Sequence, residues 1–332
     1  MQETFAPVPA SLFRSLVFGA HVTLKIQIAQ DELPSHADKA IESYYMQARR
    51  ISYLPLLLPH LRKNFLAAVL DGISLNALND ESIWFSYQGS PLKWHWPIGL
   101  LYDLHFLPRK EQKLYPLQQS DPVFTITLHV KDPPSDVLLL NPSLEACQSS
   151  FMNMLKESDY TRYGSTKRVV NLRREQQDAI WEGVVQGEFQ APLSDFEKYW
   201  NVASKLITLP SPLPPPASPN LTTLQPSPPT TRSPSPSGFD SVKLRSVPVR
   251  IYLPYGAPVM QDLAPPYTKE GSALTLKEHL SSVVSLLFPP NSASVAKTIV
   301  QGIEVPPETE IGWLGSCLTG ADGWVSVVVA ID

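Results

Sequence analysis

Nucleophilic and metal chemistry in proteins is built most often from cysteine and histidine, and this sequence holds two of the first and seven of the second. Cys147 falls on the apolar stripe of an expected helix. Burial keeps a thiol protonated, whereas a reactive thiolate needs exposure and a neighbouring positive charge, so Cys147 is expected to be an inert core residue. His95, between Trp94 and Trp96, has the type of a general base but no nucleophile at a matching position, and packing in an aromatic cluster is expected of it. The cysteines and histidines fall into no metal-ligand spacing, and HExxH, GxSxG, Walker-loop and GxGxxG patterns are absent from the sequence. The expectation is a non-catalytic protein with no cofactor and no metal.

Composition narrows the partners. Lys+Arg of 27 against Asp+Glu of 31 give a net charge of -4, which argues against nucleic acid as the main partner. Cys147 and Cys317 alone cannot make a disulfide framework or a structural zinc site, which fits a reducing, cytoplasmic compartment. The start Met-Gln-Glu-Thr-Phe-Ala-Pro lacks the basic and apolar regions of a signal peptide, and no uncharged apolar run approaches the ~18 residues of a membrane span. With 43% apolar and 17% charged residues in 332, the chain can bury two or three cores.

The elements that position these residues read as follows. Residues 209–241 are mostly Pro, Ser, Thr and Leu without periodicity, a composition that favours solvated backbone, and are expected to be a linker. Pro212 to Pro215 within it has the spacing of an SH3-type ligand, although a plain spacer is the expected reading. Beyond the linker, Val247 to Leu253 and Val259 to Leu263 read as a hairpin. Thr275 and Glu278 have capping-box spacing ahead of a helix carrying Leu276, Leu280, Val283, Val284 and Leu287, and Lys297 to Val305 and Trp324 to Ile331 read as strands. Strand, strand, helix, strand, strand is the order of a ubiquitin-like β-grasp unit. A looser copy precedes it: strands at Leu16 to Ile28 and Arg50 to Leu54, a helix near Leu56 to Leu70, strands near Ile83 to Tyr87 and Phe124 to Val130, and a polar surface excursion over 105–122. Between them, 136–208 reads as helical, opened by Asn141-Pro142 with Leu144, Cys147, Phe151, Met154 and Leu155 on one face. A last helix from Ser194 buries Phe196, Trp200, Ala203 and Ile207. The expected fold is α+β, two β-grasp domains (11–135 and 242–332) flanking a helix-rich domain, after an N-terminal extension over 1–10. The ending Val-Val-Val-Ala-Ile-Asp is not the slender Gly-terminated tail of a modifier, so these folds are expected to serve as binding surfaces.

The block Ile83-Trp84-Phe85-Ser86-Tyr87-Gln88-Gly89-Ser90-Pro91-Leu92-Lys93-Trp94-His95-Trp96-Pro97-Ile98-Gly99-Leu100-Leu101-Tyr102-Asp103-Leu104 closely resembles the signature of the autophagy protein 5 family. Val17-Phe18-Gly19, Arg50 to Leu54, Phe151-Met152 with Leu155 to Asp159, Trp181-Glu182-Gly183, Phe196 with Tyr199-Trp200, and Val249 to Tyr252 continue the resemblance through all three domains. It implies two ubiquitin-like folds around a helical region, in the cytosol and peripherally on preautophagosomal membranes. It implies a lysine joined by an isopeptide bond to the C-terminal glycine of autophagy protein 12 by the conjugating enzymes of that pathway. It also implies binding of the N-terminal helix of coiled-coil autophagy protein 16 in a groove between domains, and an E3-like complex promoting lipidation of autophagy protein 8. By motif position the lysine is Lys156.

Physical reasoning runs beside the resemblance. At about 100° per residue, Lys156 projects roughly 140° from the centre of the apolar stripe and is expected to face solvent near a helix end whose backbone could yield to a bulky partner. Arg162, Lys167, Arg168, Arg173 and Arg174 form a run with no acid until Glu175, either a solvated face or an attractor for anionic lipid or an acidic partner. Trp324 and Val327 have the aromatic-x-x-aliphatic spacing of ligands of autophagy protein 8, but inside an expected buried strand. An unmodified signalling adaptor built on the same folds and the PxxP segment is the alternative reading.

Overall fold

A computed structural model describes residues 10–110, 123–139, 142–185, 193–207 and 244–331. The expected linker 209–241, Asn141, most of the 105–122 excursion and the side chains of Phe196 and Ile207 lie outside the described residues. Alternating apolar residues make the strands of the first sheet: Val22, Leu24, Ile26 and Ile28 point inward from β1 (His21–Ile28), and Phe124, Ile126 and Leu128 from β5 (Val123–His129). With β2 (Ser43–Arg49), β3 (Trp84–Tyr87) and β4 (Ser90–Pro91) they form a five-stranded sheet of order β2-β1-β5-β3-β4, in which β1 and β5 run parallel. A helical run over residues 54–69 buries Leu58, Leu61, Phe65 and Leu66 against its inner face.

The second sheet repeats that topology. Strands β6 (Val247–Tyr252), β7 (Met260–Ala264), β8 (Ala296–Val300), β9 (Ile303–Glu304) and β10 (Val325–Ile331) have the order β7-β6-β10-β8-β9, again with the first and last strands parallel. The helix Leu276–Val283 carries the expected capping box, with Thr275 and Glu278 satisfying each other's backbone amides, and buries Leu276 and Leu280. Strand β10 is apolar on both faces because both are covered: Val325, Val327 and Val329 face the second unit's own core. Val328 and Ala330 pack with Tyr252, Ile299 and Leu100, the last from the first unit's helix Ile98–His105. Trp324 and Val327 are buried, so their motif-like spacing is structural.

Among the described residues, four helices follow the first sheet and precede the second in the chain: Leu144–Tyr163, hereafter αC, the short Lys167–Val170, Arg174–Val185 and Leu193–Ile207. Their core of Cys147, Phe151, Leu155, Ile180, Val184, Tyr199 and Ala203 also takes in Phe18, Ile51, Tyr53 and Trp94 from the first unit and Ala321 from the second. Burial pushes the Cys147 thiol up to about 12, as expected of an inert core thiol.

Two local readings are corrected. Residues 16–19 close a helix, Ala10–Gly19, because Val17 enters the second unit's core and Phe18 the helical one. A run of apolar residues does not tell a strand from such a helix end. The second strand is Ser43–Arg49 rather than 50–54, since Arg50, Ile51, Ser52 and Tyr53 turn into the junction of the three units, where all are buried.

The second unit approaches αC closely at Gly323. Its φ of +85° is left-handed, and a Cβ there would stand 2.2 Å from Ser158 Oγ on αC. Gly323→Ala is therefore expected to cost roughly 2–4 kcal/mol through strain and overpacking, read as a lowered urea midpoint.

Candidate functional site

Helix αC begins at Ser143, whose Oγ accepts from the Ala146 amide at 3.1 Å, and ends at Gly164 in the left-handed conformation. Cys147, Phe151 and Leu155 fill one stripe at four-residue spacing; Met154 is partly buried, and Leu144, expected on the stripe, is 45% exposed. Lys156 lies beside that stripe and is partly exposed, and its amine donates to Asn153 Oδ1 at 3.5 Å at the surface. The turn around it is bonded to the second unit. Trp324 Nε1 donates to the Met154 carbonyl at 3.0 Å, Glu157 Oε2 meets Arg250 Nη2 at 2.6 Å, and the Arg250 guanidinium lies 3.9 Å over the Trp324 ring. Ser246 Oγ donates to the Thr161 carbonyl and the Arg245 amide to that of Arg162, both at 2.7 Å.

The basic run divides. Arg162 is fully buried, which removes it from the expected surface patch; its Nη2 donates to the Gly323 carbonyl at 2.5 Å. Desolvation lowers its pKa to about 9, so it stays charged at neutral pH. Its partner is 161 residues away, beyond the reach of any local pattern. Arg168 is half-buried, 3.5 Å from Asp159 and 4.4 Å over the Tyr163 ring. Lys167, Arg173 and Arg174 are exposed.

Beside Lys156 the three units enclose a groove of about 770 Å³. Trp94, His95 and Trp96 line it from the first unit, Asn153, Met154 and Glu157 from αC, and Arg250, Tyr252 and Val259 from the second. Trp96 meets the Tyr252 ring edge-on at 5.1 Å. His95 Nδ1 is buried without a hydrogen-bond partner, and burial, then Lys93 and Arg250, push the imidazole down to about 4. The folded protein thus holds His95 neutral while the unfolded chain takes up a proton below about 6.5, so this residue's contribution to stability is present above that pH and lost as pH falls toward 4. His95→Gln should lose less stability than the parent between pH 7 and 4.5, by roughly 2 kcal/mol after discounting for partial exposure. Urea unfolding of both proteins at the two pH values measures the difference.

One constellation was invisible to local patterns. Ser86 Oγ lies 2.9 Å from His129 Nε2, and His129 Nδ1 lies 2.7 Å from Glu32 Oε1. A carboxylate at Glu32 fixes the Nδ1–H tautomer and leaves Nε2 to accept from the serine, the connectivity of an acyl-transfer triad. Ser86 is only 3% exposed, and Trp84 stacks flat on His129 at 3.8 Å, which denies an acyl group its approach; the network ties the loop after β1 to the sheet. Among the described residues no cluster of three or more His, Cys, Asp or Glu could hold a metal, and no helix is long and apolar enough to cross a membrane.

Three family models match the chain in succession. They are described as "Autophagy protein ATG5, UblA domain" over residues 17–130, "Autophagy protein ATG5, alpha-helical bundle region" over 144–209, and "Autophagy protein ATG5, UblB domain" over 246–329. Autophagy protein 5 of Aspergillus clavatus is 30% identical over 325 residues, covering 94% of this chain and 95% of that protein. The Aspergillus oryzae protein of the same name is 30% identical over 348 residues, with coverages of 94% and 95%. The crystal structure of Kluyveromyces marxianus Atg5 superposes with a TM-score of 0.67 at 20% identity, covering 96% of this chain and 99% of that one, a likeness of fold.

Proposed function

Since the chain belongs to the autophagy protein 5 family, we propose that it is a scaffold whose Lys156 accepts the ubiquitin-like autophagy protein 12. In the transfer, the deprotonated Lys156 Nζ bonds to the carbonyl carbon of a thioester on a conjugating enzyme, the C–S bond breaks, the thiolate leaves and one amine proton passes to solvent. The observation that carries the reading is an amine at the surface of a helix that is packed along one stripe and bonded at the neighbouring turns to the second unit. A nucleophile so held keeps its orientation while the thioester approaches.

The groove supports the second half of the proposal. Its volume, its aromatic wall of Trp94, Trp96 and Tyr252, and its polar rim of Asn153, Glu157 and Arg250 suit an amphipathic helix laid in with its apolar side down, the mode expected for the N-terminal helix of autophagy protein 16. The assembled complex acts, in this reading, as an E3-like promoter of autophagy protein 8 lipidation, with thioester chemistry housed in other chains. Lys167, Arg173 and Arg174, the exposed remainder of the basic run, supply attraction to anionic membrane worth about 1 kcal/mol each near the surface.

Two measurements test these roles. With the conjugation machinery supplied, Lys156→Arg should abolish the higher-mass conjugate and leave the thermal midpoint within about 1 °C, because an exposed charge is kept; a persisting conjugate would falsify the assignment. Charge reversal at Arg173 and Arg174 should weaken sedimentation with phosphatidylserine vesicles, and added salt should do the same; salt-insensitive binding would assign the contact to apolar surface instead.

A further inference from the structure

We propose that Arg250 is a positioning residue for acyl transfer to Lys156, an inference that rests on Lys156 being the acceptor. Arg250 belongs to β6 of the second β-grasp unit, yet its guanidinium reaches the turn of αC that carries Lys156. It bonds Glu157, the next residue, at 2.6 Å, and lies 3.9 Å over the ring of Trp324, whose indole N–H bonds the carbonyl of Met154, two residues before the lysine. The acceptor is therefore bracketed on both sides by one cation–aromatic pair that touches neither its side chain nor its amine. Arg250 Nε also donates to Gln261 Oε1 at 3.3 Å, so the guanidinium is steered from the neighbouring strand as well.

The bracket's energetics separate it from general stabilisation. Glu157 is 57% exposed in its side chain, and an ion pair with one partner in water adds little to folding. What it fixes is the rotation of one helical turn. Loss of about 1 Å of placement at a reacting nucleophile can lower a transfer rate by up to about a hundredfold, whereas encounter with the thioester enzyme depends on surface elsewhere. A positioning group therefore acts on the rate at saturation, and a docking group on the concentration needed to reach it.

The test uses the full chain without any coiled-coil partner, so that occupancy of the groove does not enter. A conjugating enzyme charged with its ubiquitin-like modifier as thioester is mixed with excess chain, and single-turnover transfer is followed against chain concentration. Arg250→Ala should lower the saturating rate about tenfold with the half-saturating concentration unchanged to within about twofold. Glu157→Ala, which leaves Arg250 on Trp324, should do likewise with an unaltered thermal midpoint, and the exchange Glu157→Arg with Arg250→Glu should recover part of the rate. Hydrogen exchange of the 155–160 amides should quicken in both single variants. Wild-type saturating rates in folded Arg250→Ala and Glu157→Ala overturn the proposal, as does a change confined to half-saturation. Peptide mapping of the parent conjugate keeps the two ideas apart: a branch at another lysine sinks the acceptor reading itself, whereas a branch at Lys156 with insensitive variants sinks only the positioning role.

Discussion

Buried guanidiniums bonded to backbone carbonyls of a different unit are the interaction on which this architecture rests. Arg14, in the N-terminal helix, donates to the carbonyls of Gly315, Ser316 and Thr319 at 2.7–2.9 Å, satisfying the unpaired end of the helix Ile311–Cys317 in the second unit. Arg49 reaches the Gly183 carbonyl in the helical region, and Arg162 reaches Gly323. Arg50 pairs with Asp103 at 2.5 Å, and the same Asp103 oxygen accepts from the Gly302 amide across the sheet boundary at 2.9 Å. Each charge has left water, which is costly, and for Arg14, Arg49 and Arg162 the cost is offset only while the foreign carbonyl stays in place. Losing those partners would strand a desolvated charge, so these groups favour one arrangement of the three units.

That constraint decides which β-grasp surface remains available. In the second unit the outer face of the sheet is covered by the first unit's helix Ile98–His105, through Leu100 against Tyr252, Ile299, Val328 and Ala330. The face that a free ubiquitin-like domain would offer to a partner is here an internal joint. The first sheet's outer face is polar, with Thr23, Lys25, Thr125 and Thr127 partly exposed. Repetition of one topology thus serves two ends, a joint in one copy and an open face in the other.

Much of the fold was legible because its causes are local. Alternation along β1 and β5, the Thr275–Glu278 box and the stripe Cys147, Phe151, Leu155 each follow from a few neighbouring residues. What escaped depends on distant chain. Leu16 to Gly19 reads as strand until the cores entered by Val17 and Phe18 are known, and Arg50 to Tyr53 looks like strand because β-branched and aromatic residues also suit a buried junction. The helix Ile311–Cys317 is short and glycine-bearing, which hides its period. Arg162 reads as surface from its type alone. At the site, Lys156 was singled out by its place in the motif and expected from helical phase to face solvent, and it is partly exposed; its neighbours Arg250 and Trp324 were not readable, since Arg250 lies 93 residues from Glu157, beyond any local pattern.

The bonds along this helix bear on how Lys156 would meet a thioester in the proposed transfer. A flexible lysine would meet more orientations of a thioester, at the cost of reaching the productive one less often; a lysine on a held turn gives up that search. The structure has the second arrangement, with bonds at Met154, Glu157, Thr161 and Arg162 on the helix that carries Lys156. These bonds run to the second β-grasp unit, which begins about ninety residues later in the chain and contributes no atom to the amine. Order at the turn that carries Lys156, the proposed acceptor, is thus supplied by a second domain, and this is the physical sense in which that turn belongs to the assembled chain and not to the helical region alone.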